Sequence, residues 1–328
     1  MTAPILTERK VRGDFYELLS QSTGAGWVDA ISTSPIESDQ DSETYPWLGQ
    51  VPQMSAKVGG KNFDQMRATD WTVKNVEYQG GLAIPKKHVL YDKTGQINVR
   101  LSELAGRTQA HWLTLVAPLI VAGESTVCYD GQYFFDTDHS EGDSGTQSND
   151  ISADISAYPT SNHGSTTQPS AGEMVFAIMD GIKQMVAFKD DRGEYCNEDK
   201  TEFLVLTGQG LMAAAMSALR AKSVDGGDDN ILFEQDNFNI RMAASPRFSA
   251  WTTKFAIFAT QGAQKPIIRQ QRLPNNAGGG YNMDGLSYDS LWLDSEHCVK
   301  NDECLITVET ERAAAYGDWK KGCLVTLV

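Results

Sequence analysis

Residues 97–122 read INVRLSELAGRTQAHWLTLVAPLIVA, and this stretch decides how the chain folds. A stripe of mainly large apolar side chains recurs in it at steps of three and four, at Leu101, Leu104, Thr108, Trp112, Leu115 and Leu119. That spacing places them on one face of a helix. At 1.5 Å per residue, about 26 residues make a rod roughly 39 Å long. The sequence therefore predicts one long helix over 97–122 whose apolar face packs on a core.

The stretch before this helix alternates in the manner of β-strands. One alternating run extends from Trp71 to Tyr78, and a second extends from Leu82 to Leu90. Gly80-Gly81 lies between the two runs, so we expect a β-hairpin over residues 63–91 with its turn at these glycines. A two-stranded ribbon is marginally stable by itself, and it should therefore lie on another surface.

The first 45 residues are mostly polar. A short amphipathic segment from Phe15 to Leu19 is followed by a polar stretch that ends in Ser38-Asp-Gln-Asp-Ser-Glu43. The apolar content of this segment is too low for a core of its own. It predicts an extended arm that needs a partner surface.

The chain beyond the long helix mixes helical and strand patterns without regular alternation. Residues 136–170 nearly lack large apolar side chains, which predicts a surface excursion without regular structure. Helical spacing returns in Glu173–Phe188 and Leu211–Lys222. The chain between and after these helices predicts short strands at Phe203–Leu206, Ile231–Phe233, Asn239–Met242, Lys254–Ala259, Ile267–Gln271, Leu305–Glu309 and Leu324–Val328. This order, without a sequence repeat, indicates an α+β fold.

The composition is that of an acidic globular protein. The 328 residues carry a formal net charge of −15, and 41% of them are hydrophobic. Such a charge repels phosphate, which argues against nucleic-acid binding by general electrostatics. The longest apolar stretch, Leu113–Ala122, is about half as long as a membrane helix, so we expect no membrane segment. The five cysteines are odd in number and scattered, which favours reduced thiols in a cytosolic protein.

The strongest sign of an enzyme is Gly208-Gln-Gly210-Leu-Met-Ala213. It follows a predicted strand and opens a predicted helix, and Glu234 stands about 20 residues further on, as in dinucleotide-binding folds. A nucleotide-dependent oxidoreductase that uses Gly208–Ala213 is therefore the alternative function. Against it, the chain lacks the repeated βαβ units of a doubly wound sheet, and a tight strand-to-helix turn also explains the glycines.

Two other clusters of residues resemble chemical sites. Gly142-Asp-Ser-Gly145 is similar to a serine nucleophile turn, but it lies in the most polar part of the chain, where a rigid base and oxyanion donors are hard to build. Asp136–Glu141 is similar to a metal loop, but Glu141 stands where an EF-hand needs glycine. We therefore predict no catalytic, cofactor-binding or metal-binding residues, and no enzyme.

Three segments resemble the major head subunits of Mu-like tailed bacteriophages. They are Tyr45-Pro-Trp-Leu-Gly-Gln-Val-Pro52 with the following Asn75-Val-Glu-Tyr78, Cys128-Tyr-Asp-Gly-Gln-Tyr-Phe-Phe-Asp-Thr-Asp-His139, and Glu311-Arg-Ala-Ala-Ala-Tyr-Gly-Asp-Trp319. Their order and spacing cover most of residues 45–319. The run from Tyr129 to His139 is the most specific of the three.

This resemblance implies the Hong Kong 97-type phage capsid fold, an α+β architecture. Its parts would be an N-terminal arm at 1–45, an extended β-hairpin loop at 46–90, a peripheral domain at 91–199 with a spine helix at 97–122, an axial domain at 200–297, and a return to the peripheral domain at 298–328.

The function that the resemblance implies is assembly rather than catalysis. Many copies would form hexamers and pentamers of an icosahedral head, the virion shell that encloses double-stranded DNA without reading its sequence, built in the bacterial cytoplasm. Portal and scaffolding proteins are further implied partners, a decoration protein is left open, and another virion structural protein is an alternative. Aromatic side chains concentrate binding energy at interfaces. Trp47, Phe63, Trp71 and Tyr78 are therefore candidate inter-subunit contacts, with burial in their own subunit as the other reading.

Overall fold

The computed structural model describes residues 7–22, 24–48, 68–91, 95–225, 227–233, 237–272 and 285–328. Within these ranges the helices are α1 (Glu8–Gln21), α2 (Trp27–Ile31), α3 (Lys86–Tyr91), α4 (Gln96–Val121), α5 (Ala171–Val186), α6 (Met212–Arg220) and α7 (Glu296–Asn301). The strands are β1 (Ile36–Ser38), β2 (Ser42–Leu48), β3 (Ala68–Lys74), β4 (Val76–Pro85), β5 (Asp150–Ala153), β6 (Glu202–Thr207), β7 (Ser223–Val224), β8 (Asp228–Asp229), β9 (Asn239–Ala244), β10 (Lys254–Ala259), β11 (Ile267–Arg272), β12 (Leu286–Leu291), β13 (Glu303–Tyr316) and β14 (Gly322–Leu327).

The first sheet is organised by the long strand β13. Its strand order is β1-β11-β13-β12, and β4 also pairs with β13, over the first ten of the fourteen residues of β13. β13 is antiparallel to β4, β11 and β12, while β1 is parallel to β11. Alternate side chains of β13 point to one face, where Cys304, Ile306 and Val308 are buried.

Helix α4 connects this sheet with the rest of the core. Its N-terminal half buries Ile97 and Leu101 in a cluster with the first sheet, and its C-terminal half buries Trp112 and Ile120 in the main core. The predicted helix over 97–122 is therefore confirmed. Neither α4 nor another helix in the described ranges is long and apolar enough to cross a membrane.

Helix α1 packs on its own subunit. Val11, Phe15 and Leu19, spaced four residues apart, are buried against α4 and the first sheet. The Phe15 ring lies 5.3 Å from the ring of Tyr288 on β12. The expectation that this part of residues 1–45 extends away to a partner surface is wrong, because three apolar residues on one helical face suffice to dock a helix on a core that other segments build.

The second sheet has the order β5-β14-β10-β6-β9. Helix α5 packs on β14 and β10, and α6 packs on α5 and β9, so the middle strands are buried along their length. The predicted helices Glu173–Phe188 and Leu211–Lys222 are confirmed as α5 and α6. The second sheet takes strands from both sides of the boundaries expected at residues 200 and 298. β5 precedes both boundaries, and β14 follows both.

The stretch before α4 is not the predicted hairpin. β3 pairs with β2, Ser42 opposite Lys74, and the chain changes direction at the buried Asn75, whose N–H donates to the carbonyl oxygen of Asp41 at 3.0 Å. Gly80 and Gly81 lie inside β4, opposite Val308 and Thr307 of β13. The glycine pair therefore marks a strand segment that lies close to a neighbour and not a turn.

Two further local expectations are wrong. Residues 136–170 contain β5 and a short 3₁₀ helix at Ile155–Ala157, and His139 and Asn149 are fully buried there. Hydrogen bonds between polar side chains and the backbone order this stretch, together with Ala153 and Ile155, which are buried in the main core. The strand expected at Ile231–Phe233 is a turn, in which the N–H of Phe233 donates to the carbonyl oxygen of Asn230 at 3.1 Å.

Candidate functional site

The four aromatic residues predicted as contacts lie on two different parts of the fold. Trp47 lies on β2 opposite Thr69, and Trp71 lies on β3 opposite Tyr45, so both belong to the β2–β3 ribbon. Tyr78 belongs to β4 of the first sheet. Phe63 lies outside the described residues.

Trp71 sits where the ribbon meets the first sheet. Its half-buried indole packs with Tyr45, Val73, Ala313 and Ala315. Tyr45 Oη donates a hydrogen bond of 2.6 Å to Gln270 Oε1, and burial raises the pKa of this tyrosine to about 12. The indole N–H of Trp71 is buried but finds no acceptor among the described residues. An unmade hydrogen bond of this kind costs free energy until an acceptor arrives.

Tyr78 lines a groove between β4, α4 and β13. The groove has a volume of about 310 Å³, and Gly80, Gly81 and Arg107 also line it. The Tyr78 ring meets the His111 ring edge-on with centroids 4.5 Å apart. Burial, with the nearby charge of Arg312, lowers the pKa of His111. Tyr78 therefore contacts the long helix of its own chain.

The Gly208–Ala213 turn connects β6 to α6, as the dinucleotide alternative requires. A Cβ at Gly208 would lie 2.5 Å from the carbonyl oxygen of Phe248 and 2.9 Å from that of Trp251, so this glycine allows two backbone segments to touch. β6 lies between the antiparallel β10 and the parallel β9, unlike a strand of a doubly wound sheet. Glu234 lies outside the described residues. Packing thus explains Gly208, whereas a Cβ at Gly210 would meet nothing within 4 Å.

The Cys128–His139 segment folds into a hydrogen-bonded unit of the core. Asp130 accepts hydrogen bonds from Cys128 Sγ at 2.9 Å, from the Gln132 N–H at 3.1 Å and from His139 Nδ1 at 2.7 Å. Burial by itself would raise the pKa of Asp130, but the hydrogen bonds from His139 and Cys128 outweigh it and lower that pKa. The buried imidazole of His139 stacks on the indole of Trp319 with centroids 3.9 Å apart.

Glu141 joins this unit to the C-terminal part of the chain. Its Oε1 accepts hydrogen bonds from Tyr129 Oη at 2.6 Å and from Trp319 Nε1 at 2.9 Å, and its Oε2 lies 2.7 Å from Lys320 Nζ. The Lys320 side chain is 1% exposed. Burial by itself would lower the pKa of Lys320, but the carboxylates of Asp318 and Glu141 outweigh it and raise that pKa. The ion pair thus holds residues 128–141 against residues 318–320.

One group in the described part of the chain has donor atoms close enough for a metal ion. The candidate ligand atoms of Cys128, Asp130 and His139 lie within 4.8 Å of one another. Zinc accepts these donor types, but it needs the cysteine as a thiolate. Burial raises the pKa of Cys128, and its thiol already donates to Asp130. The hydrogen bonds among these residues are sufficient to explain the arrangement.

The residues of the acidic stretch Asp136–Glu141, which resembles a metal loop in sequence, lie in different environments. His139 and Glu141 enter the core unit, whereas Asp138 is exposed. Lys320 and Trp319 complete the unit from almost 180 positions further along the chain. The only sequence signal for this link was that both segments belong to the family resemblance.

Comparison with known proteins gives the same family as the motifs. Residues 9–161 match the family described as Mu-like prophage major head subunit gpT. The Mu-like prophage FluMu major head subunit of Haemophilus influenzae is 29% identical over 141 residues, which is 40% of this chain and 46% of that protein. The major capsid protein of Escherichia phage Mu is 30% identical over 104 residues, which is 32% of this chain and 34% of that protein. The matches thus span less than half the length of these relatives.

Solved structures extend the likeness over the whole fold. A chain of the bacteriophage JBD30 procapsid superposes with a TM-score of 0.51 at 18% identity and covers 98% of this chain and 76% of its own length. A chain of the cyanophage P-SCSP1u capsid gives a TM-score of 0.52 at 10% identity, covering 94% of this chain and 89% of its own length. The expected fold is therefore confirmed: the chain has the Hong Kong 97-type capsid fold, and its residues 9–161 are similar to the Mu-like prophage major head subunits.

Proposed function

We propose that this chain is the major capsid protein of a tailed bacteriophage, and that its copies assemble into the icosahedral head that encloses double-stranded DNA. The observation that carries the proposal is the pairing of a family match at residues 9–161 with a capsid fold that covers 98% of the chain. The function is assembly, and the virion is where the protein acts. The net charge of −15 supports a shell that does not cling to packaged DNA.

The parts of the capsid fold are assigned as follows in this proposal. The first sheet with α4 corresponds to the peripheral domain and its spine helix, and the second sheet with α5 and α6 corresponds to the axial domain. The β2–β3 ribbon, with the segment that joins its strands, is the extended loop. Residues 1–45 supply the N-terminal arm, with α1 as its fixed base.

The proposed partners are further copies of the chain, arranged as hexamers and pentamers. Trp47, Phe63 and Trp71 are proposed contacts between copies, since the ribbon carries the first and the last, and Phe63 falls in the segment that joins its strands. The partial exposure of the Trp71 side chain supports this role, because a neighbouring copy can cover the exposed part. Tyr78 remains a proposed contact through the groove that it lines. Portal and scaffolding proteins, and a decoration protein, are further proposed partners.

The full chain, expressed alone and with a scaffolding protein, tests the proposal. Negative-stain microscopy and sedimentation should show closed shells or capsomers. A stable monomer or a small closed oligomer under all assembly conditions would contradict it, and a thermal shift with a nicotinamide dinucleotide would favour the oxidoreductase alternative.

Trp71→Ala tests the contact assignment. We expect the protein concentration needed for assembly to rise about tenfold or more, because an interface hot spot contributes ~2 kcal/mol or more and each ~1.4 kcal/mol is a factor of ten. Trp27→Ala is the matched control, since Trp27 is also a half-buried indole that packs on its own chain, 5.6 Å from Phe248 between centroids, but it does not lie on the β2–β3 ribbon. If both variants assemble equally well, Trp71 is not an interface residue.

A further inference from the structure

Two of the five free cysteines lie in direct contact. The Sγ atoms of Cys298 and Cys304 are 2.7 Å apart, and both side chains are fully buried. Each of the other three thiols donates to an oxygen atom: Cys128 to Asp130, Cys196 to Phe188 and Cys323 to Leu324. The pair at 298 and 304 is therefore distinct from the rest, which sequence spacing alone did not show.

The pair joins two elements of unequal stability. Cys304 lies on β13, where it is opposite Ile84 of β4 in the first sheet. Cys298 is the one buried residue of the six-residue helix α7, whose Glu296, Val299 and Lys300 are exposed. An element held by so few apolar contacts opens at low free-energy cost. Opening of α7 exposes Cys298 and uncovers Cys304 without unfolding the sheet.

The chain between the two cysteines makes a turn that brings α7 back to β13. Asp302 ends α7 in the left-handed conformation with φ +52° and turns the chain into β13. The carbonyl oxygen of Asp302 accepts a hydrogen bond of 2.8 Å from the N–H of Lys86, which fixes this turn to the end of β4. The two sulfur atoms, 2.7 Å apart, need to approach by about 0.7 Å to reach the ~2.0 Å of a disulfide bond.

We propose that Cys298 and Cys304 form a redox-responsive pair, which becomes an intrachain disulfide when the chain meets a low-molecular-weight disulfide and then locks α7 onto β13. The thiolate of Cys298 attacks one sulfur of oxidised glutathione and releases one glutathione thiolate. The thiolate of Cys304 then attacks the Cys298 sulfur of the mixed disulfide and displaces the second glutathione. The protein loses two electrons and two protons, and one glutathione disulfide becomes two glutathione thiols.

Burial controls when this reaction occurs. It raises the pKa of Cys304 to about 12, so the closed form holds a neutral thiol that does not attack a disulfide. Oxidation therefore proceeds through the open form of α7, and the product is protected once the helix closes. The disulfide adds a covalent link to α7, which is otherwise held by one buried side chain. Because the link lies within one chain, it does not depend on assembly.

The test uses the full wild-type chain equilibrated in glutathione buffers of increasing oxidising power, quenched with acid and alkylated in denaturant. Trypsin cleaves after Lys300, so only a disulfide keeps the peptides of Cys298 and Cys304 together. We expect that pair to be linked, with Cys128, Cys196 and Cys323 alkylated and with separation by dithiothreitol. Full alkylation of Cys298 and Cys304, glutathione retained on either one, or links to other cysteines would each overturn the proposal.

Variants test the formation of the Cys298–Cys304 disulfide, and hydrogen exchange tests whether the disulfide locks α7. Cys298→Ala should abolish the linked peptides, whereas Cys196→Ser should keep them, since its hydroxyl can still donate to the Phe188 carbonyl oxygen. In the oxidised chain, the amides of α7 should exchange at least about tenfold more slowly than in the reduced chain. Unchanged exchange in a fully linked sample would overturn the locking of α7.

Discussion

Lys320 and Lys321 are adjacent and both buried, and we predict that they respond differently to substitution. Lys320 Nζ lies 2.7 Å from Glu141 Oε2 and 3.7 Å from Asp318 Oδ1, whereas Lys321 Nζ donates to the amide oxygen of Asn197. Burial by itself lowers the pKa of both lysines. The carboxylates beside Lys320 outweigh burial and raise its pKa, while the pKa of Lys321 stays lowered.

The magnitude follows from what each substitution leaves behind. Lys320→Met removes the cation and leaves two carboxylates without it in the core, and removal of one partner of a buried ion pair costs about 3–5 kcal/mol. Lys321→Met leaves only one amide oxygen without its donor and also removes a desolvated charge. These two effects oppose each other, so we expect a net loss within about 1 kcal/mol. The two variants should therefore differ by at least about 2 kcal/mol.

Urea unfolding followed by tryptophan fluorescence and far-UV circular dichroism measures the difference as a shift in midpoint at constant m-value. The pH dependence provides a second check. Because the pKa of Lys320 is raised in the folded chain, its stabilisation is complete at neutral pH and is lost only as the pH rises above 10.5, the ordinary value for lysine.

A double variant completes the test. Glu141→Gln keeps an oxygen that can accept from Tyr129 and Trp319, so Lys320→Met combined with Glu141→Gln should be more stable than Lys320→Met alone. Equal losses for Lys320→Met and Lys321→Met would refute the reasoning. So would a double variant whose loss is the sum of the two single losses.

The remaining predictions concern a strand, a helix cap and the first helix. Gly80→Ala should raise stability by ~0.5–1 kcal/mol in thermal melts, because Gly80 lies inside β4 and its new Cβ would meet only Leu104, at 3.8 Å. A clear loss of stability would instead favour a turn at Gly80. Gly172→Ala should cost ~1–3 kcal/mol, because its Cβ would lie 1.9 Å from Asp225 Oδ2, which accepts the Gly172 N–H at the start of α5; the same loss in an Asp225→Ala background would argue against this contact. Phe15→Ala should lower the free energy of unfolding, measured in urea, by ~3–5 kcal/mol, since the ring is fully buried. An unchanged midpoint would show that α1 does not pack stably on its own subunit.

The sequence predicted well those elements whose signal is local. α4 and α5 were visible because their apolar side chains repeat with the helical period, and this period is the same whatever packs against it. β6 and β10 were visible as short apolar runs of strand length. The motif from Cys128 to His139 was recognised as specific, although its structural role was not visible.

The tertiary structure decided which segments meet, and with them every feature of the candidate site. Gly80-Gly81 is compatible with a turn or with a strand, and only pairing with β13, more than 220 positions away, made it a strand. Glu141 and Lys320 are separated by 179 positions, and neither sequence neighbourhood shows that the other will neutralise it. The contact of Cys298 with Cys304 likewise depends on α7 folding back over β13. The physical reason is that periodicity is a property of one segment, whereas strand pairing and buried charge are stabilised only by a partner whose position the whole fold determines.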